Sequence, residues 1–465
     1  MYLLGLIFMI LLLIIYKVPF LSLPYYWDEA SPYAVAIHTM FKNGISLLPS
    51  ALPPDLSRGH PLVFHSLTAL WMHAFGTSLF ASHSFALLVT VLTVITVWYF
   101  CDTFFSRRVA FIAALLLCSQ AILISQACFL LPESIMALWT MLCFTTWMKG
   151  RKLLFVLVAT AMLLTKESGL VLLFALGLTE LLTFRKSNGN AIKELTSSLA
   201  ALAVPVVIAF LFFVAQKITY GWFLFPLHTG YISSNWTSFT SNLPSAAAYL
   251  VIYYGRNGFT FFVLLSLIFI TVKRQIRLTE NEKRALYAIT SFIVCYLLFS
   301  SVNFYIPRYL LCVFPPFVIA GSVVINKALH QFRAIFPLII IGISSTCLYF
   351  YIHQRAGGDN DYRPSIKVAL EMVRCCEQKQ LQNQKILAPC VVRINLSQPF
   401  AGYLSGSAFT GLQAEVTPET AYYITSSDEF DKAEFDRISS GYNLTLLRKF
   451  EYDYAWVSLY QLVRK

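Results

Sequence analysis

Two adjacent acids, Asp28 and Glu29, follow the first apolar run of this 465-residue chain. They lie in an aromatic-rich stretch, at residues 25–33. A carboxylate at such a position can act as a general base that takes a proton from a hydroxyl group. The alternative is that acids before a helix N-terminus only stabilise the helix dipole. On position alone the second interpretation is favoured, because ionisable side chains mark functional sites only statistically.

A third acid, Glu133, opens another apolar run and is expected at the same depth as Asp28. Two carboxylates at one depth can orient an acceptor, divide acid and base roles, or share a metal ion, so Asp28 and Glu133 are also candidate ligands of a divalent cation.

Basic residues expected at this depth suit a phosphate group, because Arg and Lys pair strongly with phosphate oxygens. They are Arg58, His60, Lys166, Arg256 and Arg308.

These cations could also have roles that involve no phosphate. Long basic side chains near helix ends often extend to lipid headgroups without binding anything else. Glu167 follows Lys166 directly and could simply neutralise it. His65, His73 and His83 do not form a convincing set of metal ligands. Lone histidines on an interfacial helix more often serve as amphipathic side chains, with an apolar body and a polar tip.

The elements that would position these residues are membrane helices. Hydrophobic residues make up 57% of the chain, charged residues 12%, and the mean hydropathy is +0.65. A soluble domain has about 25% charged residues, and a span needs roughly 20 apolar residues. We therefore predict eleven spans. They run at about 2–23, 80–100, 109–127, 134–149, 153–166, 168–184, 199–219, 248–271, 286–302, 308–326 and 334–352.

The distribution of Lys and Arg predicts a cytoplasmic N-terminus. The outside loops then hold Lys42, Arg58, Lys166 and Arg308. The inside loops hold many more: Arg107, Arg108, Lys149, Arg151, Lys152, Arg185, Lys186, Lys193, Lys273, Arg274, Arg277, Lys283, Arg284, Lys327 and Arg333. Because the net charge of +12 belongs to the membrane part, it does not indicate a nucleic-acid partner. An odd number of spans places the C-terminus outside, on the same side as Asp28.

The first outside segment, residues 24–79, is too long for a simple connection. It contains two helix patterns, one from Ser31-Pro32 to Asn43-Gly44 and one from His60-Pro61 to Gly76. At about 22 Å each is shorter than the ~30 Å hydrocarbon core, so both are predicted to lie in the membrane surface. A second long outside segment, 220–247, is either a mobile flap or an ordered surface loop.

After a transmembrane part at 1–353, residues 354–465 have the composition of a soluble domain, with a boundary at Gly357-Gly358-Asp359. A helix is predicted at 364–382 and strands at 385–394, 421–425, 444–450 and 456–463. This predicts a small extracytoplasmic α/β domain. Cys390 either forms a disulfide with Cys375 or Cys376, or all three are free thiols.

Four pieces in order give the chain a resemblance to a known family. They are Trp27-Asp28-Glu29-Ala30, Gly59-His60-Pro61-Leu62, Leu131-Pro132-Glu133 and Pro307-Arg308-Tyr309-Leu310-Leu311, with Thr165-Lys166-Glu167 as a weaker fifth. The pattern resembles the GT-C fold glycosyltransferases that use polyprenyl-phosphate sugars, such as lipid A aminoarabinose transferases and protein O-mannosyltransferases. The resemblance covers the membrane part to about residue 350.

The resemblance implies an all-α polytopic membrane enzyme with Asp28 as general base. Glu29 and Glu133 would support catalysis, and Arg58, His60, Lys166, Arg308 and Tyr309 would hold the donor phosphate. The expected partners are a polyprenyl-phosphate-linked sugar, membrane lipids, and an acceptor glycan, lipid or protein. The expected location is the plasma (inner) membrane, with the active site outside. Relatives often have Asp in place of Glu133, and many have two prolines where this chain has His60-Pro61-Leu62.

Other functions remain open from the sequence. A transporter or flippase of polyprenol-linked glycans would be expected to carry broken helices near the midplane, often in repeated halves, and no such repeat is visible. A ligase or polymerase of such glycans would use similar chemistry on a different fold. A non-enzymatic scaffold fits the clustered ionisable residues least well.

Overall fold

The membrane part of the chain is built from helices, as its apolar runs predict. The computed structural model describes residues 2–184, 189–230, 232, 235–273, 278–329, 332, 335–353 and 362–465. The predicted inside cations Arg185, Lys186, Arg274, Arg277 and Arg333 and the predicted boundary at 357–359 lie outside these residues. The helices are α1 (Tyr2–Lys17), α2 (Val35–Asn43), α3 (Pro54–Ser57), α4 (Val63–Phe75), α5 (Leu79–Phe104), α6 (Arg107–Cys118), α7 (Ala121–Gln126), α8 (Pro132–Met148), α9 (Lys152–Leu163), α10 (Leu170–Thr183), α11 (Gly189–Tyr220), α12 (Pro226–Thr229), α13 (Trp236–Val251), α14 (Arg256–Lys273), α15 (Glu280–Val302), α16 (Phe314–Leu329) and α17 (Ile335–His353).

Fewer helices than predicted are long enough to cross a bilayer alone. Within the described ranges, five helices have the length and hydropathy for a crossing, in α1, α5, α11, α15 and α17. The predicted spans 134–149 and 153–166 correspond to α8, with 17 residues, and α9, with 12. The predicted span 109–127 is divided between α6 and α7. The number eleven therefore stays a prediction.

The predicted span 248–271 is wrong as a single helix. The chain bends by 85° between α13 and α14. Gly255 makes the turn at φ +79°, and an added Cβ would lie 2.9 Å from the Thr346 carbonyl oxygen. The buried Arg256 holds the bend, because its Nε donates to the Tyr249 carbonyl at 2.9 Å, near the end of α13.

The two short helices predicted in the first outside segment are present as α2 and α4. Both end where predicted, with Gly44 at φ +104° and Gly76 at φ +92° as the residues after the last turn. The first begins irregularly, since Ser31 is extended inside a helical stretch over Glu29–Ala34. The two helices pack against each other, and α4 also packs against the start of α5, which places the loop between them beside Asp28.

The C-terminal residues form a small mixed sheet with three helices, which confirms the predicted α/β domain. The sheet order is β2-β1-β3-β5-β4, with β1, β2 and β3 parallel and β5 antiparallel to both β3 and β4. The predicted strand 385–394 is wrong beyond its start, because a helix begins at Cys390. The elements are α18 (Arg363–Gln378), β1 (Ile386–Leu387), α19 (Cys390–Ser397), β2 (Leu412–Gln413), β3 (Tyr422–Ser426), α20 (Lys432–Gly441), β4 (Tyr442–Tyr452) and β5 (Ala455–Arg464).

This C-terminal domain packs directly on the segment that carries Asp28. The Tyr25 N–H donates to the Ala401 carbonyl at 3.0 Å. The Tyr26 hydroxyl donates to Asp428. Tyr26 also belongs to the hydrophobic core of the C-terminal domain. The domain therefore fixes the backbone immediately before the acidic pair.

The orientation of this domain can be tested with a native thiol. All ten cysteines are free, and Cys390 alone among them is exposed. We expect a membrane-impermeant maleimide to label intact spheroplasts carrying the wild-type protein and not those carrying Cys390→Ser. Labelling that appears only after the membrane is permeabilised would place the domain inside and contradict the predicted topology.

Candidate active site

Asp28 lies at the solvent-facing end of the membrane part, between two guanidinium groups. It follows Trp27, whose φ of +54° turns the chain sharply. Its carboxylate forms an ion pair with Arg308, and its Oδ1 lies 4.0 Å from Nη1 of Arg58. The Asp28 side chain is 24% exposed while that of Arg308 is 3% exposed. The acid is therefore accessible from solvent and is held by a buried cation.

Glu29 points into the protein, away from this opening. The residue is 1% exposed. Its Oε1 accepts the Leu130 N–H at 2.6 Å and lies 2.8 Å from Nε2 of His83. Nδ1 of His83 lies 2.8 Å from the Leu21 carbonyl oxygen, and since a carbonyl can only accept, this nitrogen carries a proton. Glu29 thus ties together the end of α1, the start of α5 and the loop before α8.

This network indicates a positioning role for Glu29. Leu130 is three residues before Glu133, so the same carboxylate sets the backbone on both sides of the site. Direct participation of Glu29 in chemistry stays a prediction. Sequence reasoning considered His83 only as a metal ligand, and no local signal marks it as the partner of Glu29, which is 54 residues away.

Buried Glu133 and Lys166 form a second group beside Asp28 with the half-buried Tyr309. Nζ of Lys166 lies 2.8 Å from Oε1 of Glu133 and 4.0 Å from the centre of the Tyr309 ring. The second oxygen of Glu133 is buried, and among the described residues it has no hydrogen-bond partner. Tyr309 is adjacent to Arg308 in a short 3-10 helix, Pro307–Cys312. That helix therefore connects the group around Asp28, through Arg308, with the group around Glu133, through Tyr309.

A third group lies where the first outside segment meets residues 220–230. Nδ1 of His60 lies 3.0 Å from Oε2 of Glu167, and the rings of His60 and His228 are 4.8 Å apart. Burial by itself would raise the pKa of Glu167, but the nearby His60 outweighs it and lowers that pKa to about 2. Burial, together with the neighbouring His60, lowers the pKa of His228 to about 4. Glu167 is thus ionised and His228 neutral at pH 7.

These protonation states suit metal ligation, since a metal needs a deprotonated carboxylate and a neutral imidazole. The ligand atoms of His60, Glu167 and His228 all lie within 4.8 Å of one another. Asp28 and Glu133, the ligands predicted from sequence, belong to no three-ligand group in the described part of the chain. His60 was predicted to bind phosphate, so the same residue has two candidate roles. The sequence signal for Glu167 and His228 was weak, because they lie in separate loops.

The segment after α11 is ordered against this group rather than detached from it. The Tyr220 hydroxyl donates to the carbonyls of Pro49 and Leu52 at 3.0 and 2.9 Å. Gly59 has φ +71°, and an added Cβ would lie 2.9 Å from Cβ of Phe225. Only glycine lets the two segments approach this closely. Of the two sequence-based interpretations of 220–247, the ordered loop fits its start, while residues 231, 233 and 234 lie outside the described ranges.

The structure therefore brings most of the predicted site residues together. Asp28 lies beside Arg58 and Arg308. Glu133 pairs with Lys166, which also contacts Tyr309. His60 pairs with Glu167, the residue that follows Lys166. Two predicted residues lie elsewhere: Glu29 is turned inward, and Arg256 is at the bend between α13 and α14. The arrangement offers an accessible carboxylate next to several cations, which can bind an anion and accept a proton in one place.

Comparison with known proteins finds one family model and several solved structures that are similar to this chain. A family model described as dolichyl-phosphate-mannose-protein mannosyltransferase matches residues 59–213, about a third of the chain. The structure of ArnT from Cupriavidus metallidurans bound to undecaprenyl phosphate is similar over 97% of both chains, with a TM-score of 0.63 and 15% identity. The archaeal oligosaccharyltransferase AglB from Archaeoglobus fulgidus, in complex with an inhibitory peptide and a dolichol-phosphate, matches at a TM-score of 0.51 and 11% identity, over 86% of this chain and 63% of that one.

A search of curated protein sequences finds no significant match. The chain has the fold of the GT-C glycosyltransferases, with several apolar helices and a small C-terminal sheet. This likeness confirms the predicted fold class.

The role of Glu29 predicts a stability effect that separates it from Asp28. Glu29→Ala leaves buried His83 without its partner, so we expect a loss of about 3–5 kcal/mol and a clearly lower unfolding midpoint in detergent. Asp102→Ala removes an exposed ion pair with Arg107 and should cost less than about 1 kcal/mol. His83→Ala should match Glu29→Ala, and the double variant should be little worse than either. A Glu29→Ala protein that unfolds like wild type would contradict the positioning role.

The close approach at Gly59 predicts an activity effect with a matched control. Gly59→Ala must displace Phe225 and with it the loop carrying His228, so we expect sugar transfer to fall about tenfold. Gly221→Ala imposes similar backbone strain at φ +85° but meets nothing within 4 Å, so its activity should stay within about twofold of wild type. Equal losses in both variants would show that strain alone, and not the contact with the loop, matters.

Proposed function

We propose that the protein transfers a sugar from a polyprenyl-phosphate donor to an acceptor hydroxyl at the outer face of the plasma membrane, with inversion at the anomeric carbon. The observation that carries the proposal is the accessible Asp28 carboxylate held between Arg58 and Arg308. The acceptor would donate its proton to this carboxylate. Its oxygen would then bond to the anomeric carbon as the bond from that carbon to the phosphate oxygen breaks.

The cations around Asp28 support binding of the donor phosphate. Arg308, Arg58 and Lys166 lie on three different outer segments, so their charges converge on one region from different sides. Arg308 is 2% exposed and Lys166 is 9% exposed, which strengthens their attraction for an anion in a site of low dielectric. A phosphate leaving group gains negative charge as the bond breaks, so fixed cations stabilise the transition state more than the ground state.

Donor binding would also free the base. The Asp28 carboxylate is ion-paired with Arg308, so part of its capacity to accept hydrogen bonds is taken up by that guanidinium group. An incoming phosphate competes with Asp28 for both guanidinium groups, each of which has five donors. Asp28 would therefore become fully available only when the donor is in place, which ties proton transfer to an occupied site.

The known structures support the nature of the donor. ArnT was solved with undecaprenyl phosphate and AglB with a dolichol-phosphate, and both share this fold. The family model that matches residues 59–213 also carries a dolichyl-phosphate sugar in its description. The outer location rests on the distribution of Lys and Arg.

The experiment compares membrane lipids of cells lacking the gene after complementation. Asp28→Asn keeps the size of the side chain but removes its charge and the base, so these cells should accumulate a polyprenyl-phosphate sugar, as the uncomplemented cells do. Asp55→Asn changes another exposed acid of the same segment and should restore wild-type lipids. Equal protein levels, measured by immunoblot, exclude a folding defect. Full restoration by Asp28→Asn would refute the mechanism.

A further inference from the structure

A cavity of about 220 Å³ lies at the end of the helices opposite the active site. Its walls come from the last turns of α5 and α8 and the first turn of α9. The same two helices carry His83 and Glu133 near their first turns, at the other end. At 1.5 Å per residue, the helices place the cavity about 24 Å from His83 and Glu133 along their axes.

One side of the cavity is basic. Lys149 donates to the hydroxyl of Tyr99, and its Nζ lies 4.1 Å from the centre of that ring. Arg151 lines the cavity beside it, and no acid does so among the described residues. Helix α9 begins at Lys152, whose N–H donates to the Gly150 carbonyl at 3.0 Å. The next N–H groups of the first turn lack acceptors within the helix and lie at the same place. This side is suited to an anion.

Four other cations at this end of the helices have acidic partners in the protein. Arg107 pairs with Asp102, Arg284 with Glu180, Lys283 with Glu280, and Lys327 with Glu282. In the described part of the chain, neither Lys149 nor Arg151 pairs with a carboxylate. An anion for these two residues would therefore come from outside the protein.

The remaining wall of the cavity is apolar and open to the surroundings. Ile95, Leu142 and Leu154 line it, and Ile95 and Leu154 are about two-fifths exposed, at 41% and 42%. Exposed leucine and isoleucine on membrane helices face acyl chains. A site with a basic end and an apolar, laterally open wall matches an amphiphile better than a free anion.

We propose that this cavity binds an anionic phospholipid of the inner leaflet, with its phosphodiester between Lys149 and Arg151 and an acyl chain along Leu142 and Leu154. Basic pockets between membrane helices on the cytoplasmic side are known to take lipid headgroups. The site is separate from the donor site and does not depend on the proposed reaction.

The test measures binding of phosphatidylglycerol and phosphatidylcholine to the purified full-length protein by native mass spectrometry. The double variant Lys149→Gln/Arg151→Gln should bind phosphatidylglycerol at least about tenfold more weakly, because it loses two charge-assisted contacts. The control, Arg107→Gln/Lys193→Gln, removes the same charge from the same face and should stay within about twofold of wild type. Equal losses in the two double variants, or equal binding of both lipids by wild type, would overturn the proposal.

A second variant tests the cavity rather than the charge. Leu154→Trp fills the apolar wall at an exposed position and keeps both cations, so phosphatidylglycerol binding should again fall about tenfold. Retained binding would mean that the lipid is not seated in the cavity. Inorganic phosphate at millimolar concentration should not compete with the lipid. Competition would assign the site to free phosphate and overturn the choice of a phospholipid.

Discussion

The candidate active site depends on one buried carboxylate, that of Glu29. A charge that is 1% exposed persists only if its oxygens are satisfied. The Leu130 N–H, His83 and, at 3.4 Å, the Tyr26 N–H provide that satisfaction from three parts of the chain. Moving any of these three groups would leave the Glu29 carboxylate without one of its partners, so the network holds all three in place. The backbone on either side of the site, at Asp28 and before Glu133, is held as a result.

Rigid positioning of this kind lets the cations around Asp28 act together. Arg308 is 280 residues from Asp28 in sequence, and Lys166 is 33 residues from Glu133. Each of these pairs closes a long loop, and the C-terminal domain adds a further contact through Tyr26 and Asp428. An anion that binds here meets a site whose charges are already placed, so little binding energy is lost in reorganisation.

The sequence predicted the parts of this site that have a local signature. Asp28, Glu133, Lys166 and Arg308 stand out because charged residues at the ends of apolar runs are rare and costly. The C-terminal ends of helices α2 and α4 could be predicted because a glycine, Gly44 or Gly76, follows each of them. These features need only neighbours in sequence to be recognised.

The features that the sequence did not reveal depend on distant contacts. His83 gives no sign of its pairing with Glu29, and His228 lies 168 residues from His60. The bend before Arg256 was missed because hydropathy continues through it, although Gly255 is placed there for a close approach to the backbone at Thr346. The helix at Cys390–Ser397 was predicted as a strand because its Val-Val-Arg-Ile sequence favours either element.

The central claim is that Asp28 activates the acceptor for direct displacement of the donor phosphate. The most direct measurement is the anomeric configuration of the product, determined by nuclear magnetic resonance and compared with that of the purified donor. A single displacement predicts the opposite configuration in the product. A product that retains the configuration of the donor would require a second displacement and would contradict the assignment of Asp28 as general base.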